Sequence, residues 1–431
     1  MPSDGSLRQA VSRGAAATLI LRGTAMALAG VAAIVLAREL GSSGYGIYSW
    51  AFAWVAALAV PAALGADELL VRQTGVAVDR GEWDQLRALV RSTFGRVLLV
   101  SLGLAIAGAT ALVLAGGSDA RRSALLVALP ILPLGALAAL AQGALLGFGR
   151  TATAVAPGTL GRQALFLALV VTASAAGGVS TSGAVALQLT TTAAASVALL
   201  LLLRRVLAAG PRTAAVPAVR PSEWLRTSIP MGAAAMFLVV DAQVGLLVLG
   251  AVGSAHDAGV YAAALQCTAP FVLVLAAGRL PLGSVVARLR AAGERERLQR
   301  GLRTATRAVA GLSAAAAAVL IAVPGSVLGL FGDDFSRGEA TLRLIAVAWL
   351  INALCAFNGL VLIMGGEERA AMRAALACLA LDAALCLALV PPLGARGAAI
   401  AVLVSVTARN IANSVTTRRR LGIDTTVLGR P

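Results

Sequence analysis

Lysine is absent from this chain: all 36 of its basic residues are arginine. Charge of either sign is sparse, at 13% of residues against about 25% in an average soluble domain. Apolar residues reach 59%, which leaves too few polar groups to cover a surface in water. A soluble fold is therefore excluded, and the long apolar runs point to a protein that crosses a membrane many times. Missing lysine, beside an excess of Ala and Gly, reads as the coding bias of a GC-rich bacterial genome. Cysteine is scarce too. Cys267, Cys355, Cys378 and Cys386 lie within apolar runs without metal-ligand spacing, so they read as packing residues. The single histidine, His256, falls in a short loop between two runs and is assigned no special role. No catalytic constellation, metal set or cofactor motif can be assembled from these residues.

What is present is length of apolar sequence. A spanning helix needs about 20 mostly apolar residues. Twelve such runs occur: 14–37, 48–65, 96–115, 124–146, 152–176 and 183–203, then 229–250, 259–279, 306–328, 341–364, 370–390 and 397–416. Arg8 and Arg13 precede the first run as in a signal peptide. The run is too long for a signal core, however, and shows no clear cleavage site, so it reads as the first span. The stretch 204–228 carries Pro211, Pro217, Pro221 and five arginines, and reads as a linker. The expected protein is all-α and polytopic, with a six-helix lobe at 1–203, the linker at 204–228, and a second six-helix lobe with a short basic tail at 229–431.

The arginines set the orientation. On the side of the N-terminus lie 27 of them, against 6 on the other side (Arg38, Arg121, Arg122, Arg337, Arg343 and Arg396). The remaining three, Arg22, Arg162 and Arg409, fall inside spans. Under the positive-inside rule both termini are cytoplasmic, in the cytoplasmic membrane of a bacterium. A net charge of +16 would suggest nucleic acid in a soluble protein. Here topology and anionic membrane lipids account for it, and nucleic acid is not an expected partner.

The two halves repeat one another. Gly46-Ile47-Tyr48 matches Gly259-Val260-Tyr261 at an offset of 213. Gly81-Glu82 matches Gly293-Glu294, Gln142-Gly143 matches Asn358-Gly359, and Gly183-Ala184 matches Gly397-Ala398, at offsets between 212 and 216. Each match is weak alone, yet four in order at a nearly constant offset indicate duplication. Six spans per half is an even number, so the repeats are parallel about an axis along the membrane normal, a recurring plan of secondary transporters.

Six plus six spans, the LGSSGYGIY connector, and the QGALLGFGRTATA and NGLVLIMGGEERAAM turns resemble the polysaccharide-export branch of the MOP superfamily. That branch holds Wzx-type oligosaccharide flippases, with lipid II flippases and MATE drug exporters as relatives. The resemblance covers essentially the whole chain. It implies two six-helix lobes around a central cavity that opens alternately to the two sides. The substrate it implies is an undecaprenyl-pyrophosphate-linked oligosaccharide moved from inner to outer leaflet, with other polysaccharide-assembly proteins as partners.

Charges inside spans are costly and suggest function by default. At 1.5 Å per residue, Arg162, Asp241 and Asp382 sit roughly 15–18 Å deep, Arg22 roughly 12 Å and Arg409 about 10 Å from the cytoplasmic end. Arginine suits a diphosphate because its planar fork makes bidentate, charge-assisted bonds. The competing reading is snorkelling, in which the stem carries the head to the interface. Depth favours the cavity for Arg162 and Arg22, whereas Arg409 stays open between the two. Ser405, Arg409, Asn413 and Thr416 do recur at helical spacing and form a polar stripe. Asp241 and Asp382, too short to snorkel, are candidates for a coupling ion or proton, or for structural pairing with an intramembrane arginine. Gln163, Gln188, Gln243, Asn352, Asn358 and Asn410 line the path or bond between helices, the latter being the commoner role. Arg279 reads as a topogenic residue closing the eighth span.

Pro130, Pro133, Pro157, Pro230 and Pro270 are candidate kinks or hinges. The Arg-rich stretches 72–96 and 279–307 are expected as amphipathic helices on anionic headgroups. The LGSSGYGIY stretch and its echo at 250–261 are read as matched ends of the two lobes on the outer side, where outward closure occurs. Three functions compete: an oligosaccharide-lipid flippase holding the diphosphate on Arg22, Arg162 and Arg409; a MATE-like cation or drug antiporter using Asp241 or Asp382; and a membrane enzyme of polysaccharide assembly. The last is disfavoured because the longest outward loop, about 323–340, is too small for a catalytic region.

Overall fold

The computed structural model describes residues 4–63, 65–114, 119–211, 239–292 and 294–427. Among them every regular element is helical. The first half runs α1 (Asp4–Ala63), α2 (Ala66–Asp79), α3 (Trp83–Leu114), α4 (Ala120–Ala128), α5 (Ile131–Gly147), α6 (Thr151–Val155), a π-turn (Ala156–Gly161), α7 (Arg162–Ala175) and α8 (Thr181–Ala209). The second runs α9 (Val239–Val252), α10 (Ala255–Gln266), α11 (Ala269–Ala291), α12 (Arg295–Ala322), α13 (Pro324–Gly329), a 3-10 turn (Asp333–Gly338) and α14 (Glu339–Leu354). It ends with α15 (Asn358–Met364), α16 (Glu368–Leu393), α17 (Ala395–Thr416) and a π-turn (Thr417–Leu421).

Among the described residues, eight helices are long and apolar enough to cross a membrane, or up to 10 if the bent pairs α10–α11 (42°) and α14–α15 (40°) each form one span. α1 contains two of the predicted runs. It divides at Gly41, whose φ of 65° and ψ of 175° leave the helical region that its neighbours keep. α9 is the described end of the seventh run. The rest of that run with Pro230, and the linker with Pro217 and Pro221, lie outside the described residues. Helix faces are inverted relative to a soluble protein. On α3, Leu99 is 72% exposed and Leu114 81%, while Ser101 is buried, as expected where the surroundings are hydrocarbon.

The chain divides into two compact units, one of Met1–Leu40 with Ile47–Gln243, the other of Gly41–Gly46 with Val244–Pro431. In the first, Leu70, Leu86, Leu140, Leu145 and Leu199 centre one core, and Val55, Leu125, Leu132 and Val185 another. α2 and α5 approach through glycine: a Cβ at Gly143 would meet the Asp67 carbonyl at 2.5 Å, and one at Gly147 the Val71 carbonyl at 2.7 Å. Small residues permit this backbone contact where side chains would hold helices apart. In the second unit, Leu298, Leu302, Phe357 and Leu362 form the core, joined by Leu421 and Ile423 from beyond α17.

The repeat is visible in the connections. Glu82 N bonds Ala77 O at 2.9 Å, and Glu294 N bonds Leu289 O at 3.0 Å. Arg150 N bonds Leu145 O at 3.3 Å, and Glu367 N bonds Leu362 O at 3.0 Å. The Arg-rich stretches are helical: 72–96 takes in the end of α2, a turn at 80–82 and the start of α3, and 279–307 the second part of α11 and the start of α12. Proline marks bends incompletely. Pro270 follows the α10–α11 bend and Pro157 lies in the π-turn, but the α14–α15 bend at residues 355–357 contains no proline.

Candidate functional site

Arg162 opens α7 directly after the π-turn, where the wide register disturbs the helical ladder. Its Nε donates to the Gly158 carbonyl oxygen at 3.3 Å. The residue is half-buried and shares a face with buried Phe166 and Val170, while Ala164, Leu165, Ala168 and Val171 face outward. Tyr48, in the second part of α1, belongs to the same compact unit, and its ring lies 4.7 Å from that of Phe52.

Arg22 is exposed, yet by helical spacing it falls on the face that carries buried Ala25, Ala33 and Leu36. Ile20 and Val31, exposed at 68% and 48%, mark the opposite, lipid-facing stripe. Arg409 on α17 is half-buried and flanked one turn away on each side by buried Ser405 and Asn413. Val404, Ile411 and Val415 form the exposed stripe on the other side of that helix. By helical spacing the three arginines fall in register with the buried residues of their own helices.

Arg279 is exposed and lies within α11, which continues past it to Ala291.

Asp382 is 1% exposed and accepts a hydrogen bond from Ser405 Oγ at 3.1 Å, packed between α16 and α17. Asp241 is half-buried on α9. Of the polar candidates, Asn358 Nδ2 donates to Asn410 Oδ1 at 2.9 Å and Asn410 Nδ2 to Asn352 Oδ1 at 3.2 Å. These three bond helices together across the α14–α15 bend. Among the described residues no group of three or more His, Cys, Asp or Glu is placed to hold a metal ion.

Residues 11–278 match the family model described as polysaccharide biosynthesis protein. The chain belongs to this family. The match takes in Arg22, Arg162 and Asp241 and ends just before Arg279. No curated protein sequence matches the chain. Among solved structures, the fold is similar to the inward-facing conformation of a multidrug resistance MATE family transporter of the MOP superfamily, with TM-score 0.75 and 15% identity over 94% of this chain and 98% of that one. The outward-facing conformation of such a transporter gives TM-score 0.67 and 17% identity over 96% and 95%. The lipid II flippase MurJ, in an inward closed conformation, gives TM-score 0.70 and 12% identity over 95% and 87%. This member of the polysaccharide biosynthesis family is accordingly a multi-pass membrane protein whose fold is similar to that of MATE transporters and of MurJ.

Proposed function

We propose that this protein is a flippase that carries undecaprenyl-pyrophosphate-linked oligosaccharide units from the inner to the outer leaflet for polysaccharide biosynthesis. The observation that carries the reading is that Arg162 and Arg409 are half-buried within apolar helices, while Arg22, though exposed, lies in helical register with buried Ala25, Ala33 and Leu36. Arginines so placed fit an anionic group, and a diphosphate matches their geometry. Family membership and the fold shared with a lipid II flippase support the substrate class. Alternating access is supported by MATE transporters of this fold existing in inward-facing and outward-facing conformations. In this reading the N-terminal and C-terminal lobes, 1–203 and 229–431, rock about the substrate with both termini in the bacterial cytoplasm. Exposed Arg297 and Arg300 meet anionic lipid headgroups there. An inside-negative potential drives a diphosphate outward by about 2.3 kcal/mol per charge per 100 mV.

The test is exposure of a labelled undecaprenyl-diphosphate sugar at the outer leaflet of reconstituted vesicles. Arg162→Ala should lower its rate about tenfold or more, the loss of charge-assisted hydrogen bonds to a desolvated anion. The second reading, a MATE-like cation or drug antiporter, is favoured by the similarity to multidrug MATE transporters and by the buried Asp382. Extrusion of cationic dyes without exposure of the labelled sugar would establish it and end the flippase reading.

A further inference from the structure

The two halves treat one amide position differently. Gln142 and Asn358 are repeat counterparts at an offset of 216. In the second unit the amide is fully engaged. Asn358 Nδ2 donates to Asn410 Oδ1 at 2.9 Å and to the Asn410 carbonyl at 3.3 Å, while its Oδ1 accepts from Gly359 N at 2.6 Å. Asn410 Nδ2 in turn donates to Asn352 Oδ1 at 3.2 Å. In the first unit the positions of Asn352 and Asn410 hold Ala136 and Ser196, at offsets of 216 and 214. Alanine offers no partner, and Ser196 Oγ lies 2.8 Å from the Leu134 carbonyl and 2.7 Å from that of Thr192. Ser196 therefore joins α8 to α5 without Gln142, and among the described residues no hydrogen bond engages the Gln142 amide.

Gln142 is half-buried and is the one polar side chain of α5. An idle amide in such surroundings costs free energy that folding does not return. Its Oε1 lies against the π-turn, where a Cβ at Gly158 would stand 3.0 Å from it. The carbonyl of the same Gly158 accepts from Arg162 Nε. The amide and the guanidinium thus flank one glycine. The second unit has no such arrangement: at the same offset Gly158 and Arg162 become Ala374 and Cys378, inside the continuous helix α16. Requirements of folding recur in both halves of a duplicated chain. The π-turn, the arginine and the idle amide occur together in one half only, which points to a ligand.

We propose that Gln142 binds the first sugar of the lipid-linked substrate, beside the diphosphate held by Arg162. The proposal rests on the flippase reading above and adds a contact to its site. A carboxamide donates and accepts, and so matches the hydroxyl and acetamido groups of a sugar, whereas a guanidinium only donates and matches the anion. Sugar and diphosphate are directly bonded, so neighbouring side chains can take one each.

The test uses the full chain in nanodiscs with two fluorescent probes, undecaprenyl diphosphate and the same lipid carrying one N-acetylhexosamine. Gln142→Leu should weaken binding of the sugar-bearing probe about threefold to tenfold, the equivalent of one neutral hydrogen bond, and leave the sugarless probe unchanged. Arg162→Ala should weaken both probes about tenfold or more. Thermal midpoints supply a readout independent of binding. Gln142→Leu should match or exceed the parent, because no bonded group is lost, whereas Asn358→Leu should fall by several degrees. Equal weakening of both probes by Gln142→Leu, or of neither, would overturn the sugar contact and leave the flippase reading standing. A Gln142→Leu midpoint as low as that of Asn358→Leu, or failure to fold, would also overturn it by making the amide structural. A parent protein that binds neither lipid would remove the flippase reading and this contact together.

Discussion

The two units solve one problem with opposite chemistry. In the first the chain leaving α8 is fastened to the start of α3, and in the second the chain leaving α17 is fastened to the start of α12. In the first unit Arg87 does this by donation: its guanidinium reaches the carbonyl oxygens of Leu207 at 3.0 Å, Gly210 at 2.6 Å and Pro211 at 3.1 Å, and pairs with Asp84 at 2.6 Å. In the second, the counterpart residue is Gln299. Its Nε2 donates to Asp424 O at 2.5 Å while its Oε1 accepts from Asp424 N at 2.9 Å. The difference follows from what each chain end offers. After α8 the exposed groups are helix-terminal carbonyls, which lack donors, and a cation with five N–H groups suits them. After α17 the chain turns at Gly422 and passes α12 extended, presenting both N–H and C=O, which an amide satisfies together. Thr306 and Arg307 extend that second fastening to Thr425 O and Val427 O.

Arg87→Ala should break this contrast most severely. It takes the Arg87 donor from three carbonyls and removes the Arg87–Asp84 ion pair, at a cost of about 2–3 kcal/mol for a group mostly out of solvent. The expected readout is a fall of several degrees in the thermal midpoint of the purified protein, with earlier proteolysis just after residue 209. Arg87→Gln, which keeps a donor and adds an unwanted acceptor, should restore less than half of the loss. Full restoration would mean that charge and donor number are irrelevant at this end.

Gln299→Ala should cost less, about 1–2 kcal/mol, because two neutral hydrogen bonds are lost and Leu421 and Ile423 still anchor the tail in the core. The Arg87→Ala, Gln299→Ala double variant should show the sum of the two single effects, since the residues lie in different compact units and share no partner. Departure from additivity in a thermal or denaturant titration would show that the two fastenings are one cooperative element.

Much of this architecture was legible because it rests on composition and spacing. Apolar runs set the spans, and Gly46 with Gly259 revealed the repeat. What the matching residues do was not legible: nothing in their spacing says that the two glycines touch one another, or that Ser42 would meet His256. The α14–α15 bend escaped for a related reason. Asn358 Oδ1 accepts from Gly359 N at 2.6 Å, a local side-chain bond that competes with the helical ladder inside an otherwise apolar run. At the candidate site, the arginines within apolar runs were proposed from depth alone. The face of Arg409 was not, because it depends on which of Ser405, Asn413, Val404 and Ile411 are buried. That α11 runs on past Arg279 to Ala291 was not legible, because hydropathy ends there while the helix does not.

The smallest expected effect belongs to the ion pair that accompanies the second fastening. Arg420 and Glu367 approach to 2.6 Å, with side chains 50% and 25% exposed. In the first unit the counterpart connections carry no such pair among the described residues: Arg150 stands where Glu367 does, and Leu207 where Arg420 does. If the amide clasp and the buried Leu421 and Ile423 hold the tail, the ion pair is a screened surface contact worth at most about 0.5 kcal/mol. Arg420→Gln should then leave the thermal midpoint within about a degree, and raising salt to several hundred millimolar should erase even that difference, because the Debye length falls to about 3–5 Å. A loss as large as that of Gln299→Ala, persisting in salt, would show that charge carries the second fastening as it does the first, and that the contrast between arginine and glutamine is one of sequence but not of mechanism.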